Sequence, residues 1–399
     1  MKMSHLTRRG ALSGLAVAAL TVATPLSAWA QEVVKVGLIL PMTGPSASTG
    51  RQIEAAVKLY QSMNGTTVAG KKVEVILKDD TGVADVTKRL AQELVVNEKV
   101  SVLAGFGLTP LALATAPISA QAKVPQIVMA AATATITEAS PYIVRTSFTL
   151  PQATVPAANL ATKNGWKKVI TLVTDYGPGI DAEKAFGEQF TKNGGTVPAA
   201  LRVPLKNPDF APFLQRVADE KPDAVFVFVP SGFGALVIKQ FVERGLDKSG
   251  VKLFGTGDLP DDDQLDGMGD VVIGLISTHH YSAAHPSPEN KAFVDAYVKA
   301  NPGQRPNFMA VGGFDGMALI YKALEKTKGD ADGTKLVEAM KGLSWVSPRG
   351  PMSIDPDTRD VIQNIYVRKV EKVDGHLWNI ETEAFEKVKD PVKAAKMAK

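Results

Sequence analysis

Short apolar runs alternate with longer amphipathic segments along most of this chain. The continuous apolar run Val33–Leu40 is typical of a strand buried on both faces. Apolar residues at helical spacing, from Ile53 to Tyr60, then predict a helix over Gly50–Ser62. Because strands and helices alternate through short loops, the pattern favours an α/β fold with parallel sheets covered by helices on both faces.

The alternation stops near Tyr142–Pro151 and begins again at Lys168–Val173, which predicts a second α/β unit of similar plan. Three helices without intervening strands follow this second unit, and we expect most of them to pack on the first unit. They are predicted over Pro288–Ala300, Gly312–Thr327 and Thr334–Gly342.

Near its end the chain returns to strand patterns. One strand is predicted over Val271–Ser277. A hairpin is predicted from Val361–Lys372 and Leu377–Ile380, which flank the turn Asp374-Gly375. Residues after Phe385 are mostly charged or alanine, and we expect them to form a loosely held tail.

Polar and small residues collect where two predicted strands end. The strand Ser101–Ala104 is followed by Gly107-Leu108-Thr109 and a helix that opens at Pro110, and the strand Pro125–Met129 is followed by Ala131-Ala132-Thr133. Parallel strands end at one edge of their sheet, where open α/β folds bind ligands. Hydroxyls, free N–H groups and a helix N-terminus favour an anion there. The sequence therefore predicts a pocket for a small carboxylate.

Residues 1–30 have the composition of a secretory signal peptide. Basic residues through Arg9 precede an apolar run, and Ala28-Trp29-Ala30 suits cleavage before Gln31. The run is too short for a membrane anchor. Thr7-Arg8-Arg9 suits twin-arginine export, although Gly10-Ala11 continues that motif poorly, so the export route stays open. We expect a periplasmic protein.

Composition excludes several classes of function. The chain has 399 residues, long enough for two or three domains, and its 45% apolar and 22% charged residues are those of a globular protein. Without the predicted signal peptide it has 42 basic and 41 acidic residues, so no nucleic-acid surface is implied. The absence of cysteine excludes disulfides, thiol catalysis and thiolate metal sites.

Three motifs resemble functional sites but lack residues or a context that such sites require. Gly65–Lys71 lacks the final Ser or Thr of a phosphate loop and precedes a strand. Gly105-Phe106-Gly107 lacks the third glycine of a dinucleotide site. His279, His280 and His285 lack a further zinc ligand, so we interpret them as loop or hinge histidines. With no Gly-x-Ser-x-Gly either, we expect no enzyme activity, no metal and no cofactor.

Six short motifs occur in a characteristic order and spacing: Val36–Pro45, Gly70–Val75, Asp79–Thr81, Ala131–Thr133, Asp175–Gly177 and Pro222–Phe226. Together they resemble the periplasmic Leu/Ile/Val-binding proteins of ABC importers, over about Val33 to Ile380. The resemblance implies the type I periplasmic binding protein fold, in which two Rossmann-like α/β lobes are joined by a three-crossing hinge and close on a ligand.

The implied boundaries are a signal peptide at 1–30, an N-terminal lobe at 31–147 plus 279–350, a C-terminal lobe at 148–278 plus 351–385, and a tail at 386–399. The implied function is capture of a branched-chain or related amino acid and its delivery to a membrane permease. We expect a monomer without nucleic-acid partners.

The resemblance also implies site residues. Thr109, Ala131 and Thr133 would hold the ligand carboxylate, Tyr176 would cover the ligand, and Asp258 would pair with its ammonium group. Each has a simpler alternative, since Thr109 could cap its helix while Tyr176 and Asp258 could be ordinary turn residues. The rest of the expected ligand-binding set is Gly107, Leu108, Ala132, Ser231 and Thr49.

Two departures from the family pattern leave the ligand open. Ser48-Thr49 stands where the family often has an aromatic residue beside the ligand, which leaves room for a bulkier side chain. His279-His280-Tyr281 at the implied hinge is also unusual. An aromatic amino acid, or an aromatic carboxylate without an amino group, is therefore an alternative ligand. A ligand sensor of the same fold and a secreted enzyme are the competing functions.

Overall fold

The first lobe is built on a six-stranded sheet. The structure, a computed structural model, describes residues 32–398, so the predicted signal peptide lies outside the described residues. The strands are β1 Val33–Leu40, β2 Thr67–Val68, β3 Lys71–Asp79, β4 Val102–Gly105, β5 Gln126–Val128 and β6 Ile143–Arg145. They pair in the order β2-β3-β1-β4-β5-β6, and only the short β2 is antiparallel to its neighbour.

The second lobe is built on a nine-stranded mixed sheet. Its strands are β7 Val169–Thr174, β8 Ala200–Val203, β9 Ala224–Phe228, β10 Lys252–Thr256, β11 Ile276–His279, β12 Ser344–Ser347, β13 Gly350–Ile354, β14 Val361–Val373 and β15 His376–Val388. The order is β12-β13-β14-β11-β10-β9-β7-β8, with β15 paired to β14. Strands β8, β7, β9, β10 and β11 are parallel, whereas β12 to β15 pair antiparallel.

Twelve α-helices cover these sheets in the described part of the chain. They are α1 Ala47–Asn64, α2 Ala84–Val96, α3 Thr109–Ala122, α4 Leu150–Lys163, α5 Gly177–Lys192, α6 Ala211–Glu220, α7 Gly234–Glu243, α8 Leu265–Met268, α9 Pro288–Ala300, α10 Phe308–Lys326, α11 Gly333–Met340 and α12 Pro391–Met397. Short 3-10 helices lie at Ala134–Ala139, Leu246–Lys248 and Asp270–Val272. None of the described helices is both long and apolar enough to cross a membrane.

Helices on both faces bury the central parallel strands, which explains their continuous apolar runs. Every residue of β7 and of β9 is buried. In the first lobe, α10 packs along α1, with the rings of Tyr60 and Phe314 5.0 Å apart and edge to face. Helices α9, α10 and α11 therefore return to the first lobe.

The chain passes between the lobes three times, between β6 and α4, between β11 and α9, and between α11 and β12. Two buried arginines join these crossings. Arg349 donates to the Thr146 carbonyl at 2.8 Å and to the Ser147 carbonyl at 3.1 Å. Arg368 donates to the Tyr281 carbonyl at 2.6 Å. Their carboxylate partners are Asp315 and Asp262, both buried.

The sequence missed or misplaced three features. The strand predicted at Val271 begins only at Ile276, because the backbone turns at Gly274, whose φ is +88°. The β12-β13 hairpin has no alternating pattern and was not predicted. The hairpin of β14 and β15 is confirmed, but the prediction of a loose tail is wrong. Strand β15 continues to Val388 and Lys393 of α12 is buried.

The histidines at the second crossing pack against aromatic rings. His279 and His280 are buried, with ring centroids 4.7 Å and 4.9 Å from that of Phe148. Burial and the nearby arginines lower the pKa of both imidazoles well below its usual range. The described residues contain no cluster of three or more His, Asp or Glu side chains suited to a metal ion. The lobe boundaries proposed from the sequence stay predictions.

We expect Asp315→Asn to lower the free energy of unfolding by about 3 kcal/mol or more, because it leaves the buried Arg349 without its charged partner. Asp315 also accepts hydrogen bonds from Trp345 at 3.0 Å and Ser347 at 2.7 Å, which join α10 to the third crossing. The control is Asp295→Asn, which breaks an exposed pair with Lys291 and should change stability by less than about 0.5 kcal/mol. Urea unfolding measures both, and equal losses would contradict the expectation.

Candidate functional site

The site begins where β4 turns into α3. A Cβ on Gly105 would lie 2.3 Å from the Ile39 carbonyl oxygen, and its φ is +109°, so this turn requires glycine. Helix α3 then starts at Thr109. Among residues 32–398, no protein group accepts a hydrogen bond from the N–H of Gly107, Leu108 or Thr109. These donors and the positive end of the helix dipole make a place for an anion.

The loop after β5 lies beside this helix end. The hydroxyl oxygens of Thr133 and Thr109 are 2.9 Å apart and hydrogen-bonded. Leu108 is the N-cap of α3, so Thr109 does not cap the helix. The N–H of Ala131 is not free, because it donates to the Phe106 carbonyl at 3.0 Å. The N–H of Ala132 makes no hydrogen bond within the described residues.

The second lobe forms the opposite wall. Tyr176 precedes α5 and stacks on Phe228, with 6.1 Å between ring centroids and an interplanar angle of 15°. A Cβ on the next residue, Gly177, would lie 2.6 Å from the Thr133 hydroxyl, so only glycine allows this approach of the two lobes. Ser231 follows β9, and its hydroxyl donates to Asp261.

A cavity of about 30 Å³ remains between these walls. Thr133, whose hydroxyl is bonded to that of Thr109, does not line it. The lining includes every other predicted site residue: Thr49, Gly107, Leu108, Thr109, Ala131, Ala132, Tyr176, Ser231 and Asp258. Ser46, Ala130, Phe148, Pro178, Phe228, Pro230 and Met309 complete the lining. This volume suits one or two water molecules, so any larger guest requires the lobes to separate.

Asp258 is the acidic residue of the lining. Its side chain is buried and accepts a hydrogen bond from the Thr256 hydroxyl at 2.9 Å. Burial raises the pKa of Asp258 to about 7, although the Thr256 hydrogen bond and the charge of Arg368 act in the opposite direction. Its carboxyl can therefore be protonated or ionised near neutral pH. Burial and the Asp258 charge together raise the pKa of Tyr176.

Direct contacts hold the two lobes together around the cavity. Asp181 of α5 accepts a hydrogen bond from the Ala134 N–H at 2.8 Å. On the other side, Asp263 accepts one from the Ser48 hydroxyl at 2.8 Å. Burial raises the pKa of both carboxyls. The lobes are thus in a closed arrangement.

Sequence reasoning missed the apolar part of the lining and the contacts across the lobes. Phe148, Phe228 and Met309 come from a lobe crossing, a buried strand and a helix start, and nothing in their local pattern separates them from core residues. Asp181 lies five residues after Tyr176 in a predicted helix, where an acidic residue is ordinary.

A larger depression, about 640 Å³, lies on the outer surface between α2 and α3. It is open to solvent, and Val96 in its wall is 69% exposed. No buried polar group is directed into it from the surrounding residues, which include Gln92, Val95, Ile118 and Gln121. The cavity between the lobes, with its free N–H groups and hydroxyls, is the better candidate for ligand binding.

The chain matches known proteins over nearly its full length. The family model described as periplasmic binding protein matches residues 33–375. Leu/Ile/Val-binding protein homolog 6 of Brucella melitensis is 47% identical over 386 residues, which cover 96% of this chain and 98% of the relative.

Solved structures add information about ligands. A solute-binding protein of an ABC transporter from Rhodopseudomonas palustris BisB5, in complex with 3,4-dihydroxybenzoic acid, is 63% identical, with a TM-score of 0.89 over 90% of this chain and 99% of that one. Its counterpart from Rhodopseudomonas palustris HaA2, in complex with p-hydroxybenzoic acid, is 45% identical, with a TM-score of 0.89 over 91% and 100%. A leucine-binding protein from Thermotoga maritima is 26% identical, with a TM-score of 0.77 over 88% and 99%.

The raised pKa of Asp258, about 7 against ~3.9 in an unfolded chain, has a direct consequence for stability. Because the folded protein holds this proton more tightly, Asp258 makes the free energy of unfolding fall as pH rises from about 4 to about 7. Asp258→Asn cannot ionise. We therefore expect the free energy of unfolding of the variant minus that of the unmodified protein to increase by at least about 1 kcal/mol over that pH range.

Urea unfolding at several pH values between these limits measures this difference. The control is again Asp295→Asn, since Asp295 is exposed and is not part of the cavity lining. A difference for Asp258→Asn that stays constant with pH would contradict the expectation.

Proposed function

We propose a ligand class for this chain, which belongs to the periplasmic binding protein family: it captures an aromatic carboxylate, a hydroxylated benzoate, between its two lobes. The proposal is supported by a 63% identical protein whose structure contains 3,4-dihydroxybenzoic acid. The cavity of the present chain suits such a ligand, because it has free N–H donors at one end and aromatic walls. The curated relatives named for Leu, Ile and Val are less similar, at 47% identity.

The carboxylate would lie at the N-terminus of α3. Thr109 supplies a hydroxyl there, and the N–H groups of Gly107, Thr109 and Ala132 are free to donate. No Lys or Arg side chain from residues 32–398 lines the cavity, so neutral donors and the helix dipole would carry the recognition of charge. Donors of this kind are fixed by the backbone before the ligand arrives.

The aromatic ring would lie between apolar side chains. Phe148, Phe228 and Met309 line the cavity, and Tyr176 stacks on Phe228 at its edge. Offset and edge-on contacts between aromatic rings add about 0.5–1.5 kcal/mol beyond the area they bury. Ser231 and the Asp258 carboxyl lie on the second-lobe wall and offer hydrogen bonds to ring hydroxyls.

An amino acid is the second candidate, and Asp258 is the observation that favours it. An ionised carboxylate in the cavity would pair with an ammonium group. A pKa of about 7 weakens this candidate, because the carboxyl is then only partly ionised at neutral pH. A phenolic hydroxyl, in contrast, can donate to the ionised form or accept from the protonated form.

We infer that the closed, loaded protein delivers its ligand to the permease of an ABC importer. The closed lobes present one continuous surface, whereas separated lobes would not, so closure can report occupancy to a membrane partner. An affinity in the micromolar range corresponds to about 8 kcal/mol. A few charge-assisted hydrogen bonds and one buried ring can supply that much.

We expect 4-hydroxybenzoate and 3,4-dihydroxybenzoate to raise the melting temperature of the purified protein, and leucine to have no effect at the same concentration. A ligand at about 100 times its Kd adds about 2.7 kcal/mol to stability, which a thermal-shift assay detects easily. Titration calorimetry then gives Kd values for the ligands that raise the melting temperature. Stabilisation by leucine or valine, and not by the benzoates, would establish the amino-acid alternative instead.

We expect Thr109→Val to raise the Kd for 4-hydroxybenzoate by about five- to tenfold, because the carboxylate loses a hydroxyl donor of about 1 kcal/mol or more. Thr115→Val is the matched control on the same helix. Its hydroxyl donates only to the Leu111 carbonyl within α3, at 3.2 Å, so its Kd should match that of the unmodified protein. Equal affinities for all three proteins would remove Thr109 from the binding site.

A further inference from the structure

The loop that forms the anion end of the cavity rests on one buried guanidinium. Arg145 donates to the carbonyl oxygens of Ala131 and Thr133, at 2.7 Å each, and to that of Phe148 at 3.0 Å. Its side chain is fully buried and does not line the cavity. Arg145 binds the carbonyls of the residues on either side of Ala132 and thereby orients the Ala132 peptide. Its hydrogen bond to the Phe148 carbonyl orients the aromatic wall in the same way.

Asp360 holds Arg145 in place. Its Oδ1 accepts from the Arg145 Nε at 2.8 Å, and its Oδ2 accepts from Lys393 at 2.5 Å. All three side chains are buried, so each charge depends on the others for compensation. Lys393 is also 2.6 Å from the hydroxyl of Thr137, in the 3-10 helix that follows the loop.

Lys393 comes from α12, close to the end of the described chain. The Asp390 carboxylate caps this helix by accepting from the Lys393 N–H at 2.8 Å. Helix α12 packs on α4 of the second lobe. A continuous set of ion pairs and hydrogen bonds therefore runs from this last helix, through Lys393, Asp360 and Arg145, to the loop at Ala131–Thr133.

We propose that Lys393 is a positioning residue for ligand binding: α12 sets the geometry of the anion end of the cavity through Asp360 and Arg145. No part of α12 touches the cavity. The proposal rests on the proposed function for its effect on affinity. Its mechanical part, that Lys393 orders the loop Ala131–Thr133, stands without any ligand.

The first experiment measures amide hydrogen exchange in the protein without added ligand. Lys393→Met should speed exchange in peptides that cover Ala131–Thr137, with little change in peptides from β3, in the same lobe. Lys396→Met is the control, because Lys396 lies on the same helix, is exposed and makes only a 3.6 Å pair with Glu138. Faster exchange confined to α12 itself would overturn the proposal.

The second experiment measures the Kd for 4-hydroxybenzoate. Lys393→Met should raise it about three- to tenfold, the size of coupling carried through a packed network. Lys396→Met should leave it unchanged. In the double variant with Lys393→Met and Thr133→Val, the fold increase in Kd should be smaller than the product of the two single fold increases, because both substitutions act on the same loop. An unchanged Kd, or fully multiplicative losses, would overturn the positioning role.

Lys393→Gln guards against a variant that fails to fold. Glutamine keeps a donor for Asp360 without the charge, so exchange at the loop should lie between those of the unmodified protein and Lys393→Met. If the unmodified protein binds no benzoate, the proposed function fails while the exchange experiment still decides whether Lys393 orders the loop. If benzoate binds and exchange at the loop is unaffected, only the positioning proposal fails.

Discussion

Three guanidinium groups are buried where the chain passes between its lobes, and each must find acceptors there. Arg145, Arg349 and Arg368 have no exposed side-chain surface, and their carboxylate partners Asp360, Asp315 and Asp262 are equally buried. Removing such charges from water costs several kcal/mol per ion unless the pairing and the remaining hydrogen bonds are complete. The remaining donors are satisfied by backbone carbonyls of the crossings and of the site loops, and by the side-chain oxygens of Ser277 and Gln363. The same groups that neutralise the arginines therefore fix the path of the chain between the lobes.

This arrangement separates the rigid parts of the site from the parts that move. The first lobe carries the N–H groups and hydroxyls at the start of α3, which the sheet and the buried Arg145 hold in place. The second lobe carries Tyr176, Phe228 and Asp258, which reach the cavity only when the lobes meet. Contacts such as those of Asp181 and Asp263 with the first lobe are part-buried hydrogen bonds between single groups, which an opening motion has to break.

Much of the fold follows from the sequence, because helical spacing and buried strands are local patterns. The predicted strand ends at Gly107–Thr109 and Ala131–Thr133 do meet at one edge of a parallel sheet. The sequence could not identify Arg145 or Phe148 as parts of the site. The partner of Arg145 lies 215 residues further along the chain, and Phe148 has the local context of any core residue. The buried position of Lys393 was missed for the same reason, since its surroundings in sequence are charged and its partner is distant.

The narrow enclosure between the lobes has a consequence for rates. The space of about 30 Å³ left between Tyr176 on one side and Phe148 and Thr109 on the other is too small for an organic guest to pass, so a guest enters and leaves only when the lobes separate. Its dissociation rate then equals the frequency of lobe separation multiplied by the chance of escape before reclosure. Residence time would thus be set by the interlobe hydrogen bonds as much as by the contacts with the guest. Two guests of different affinity could then dissociate at similar rates. Selectivity would depend on the fraction of bound guests on which the lobes close.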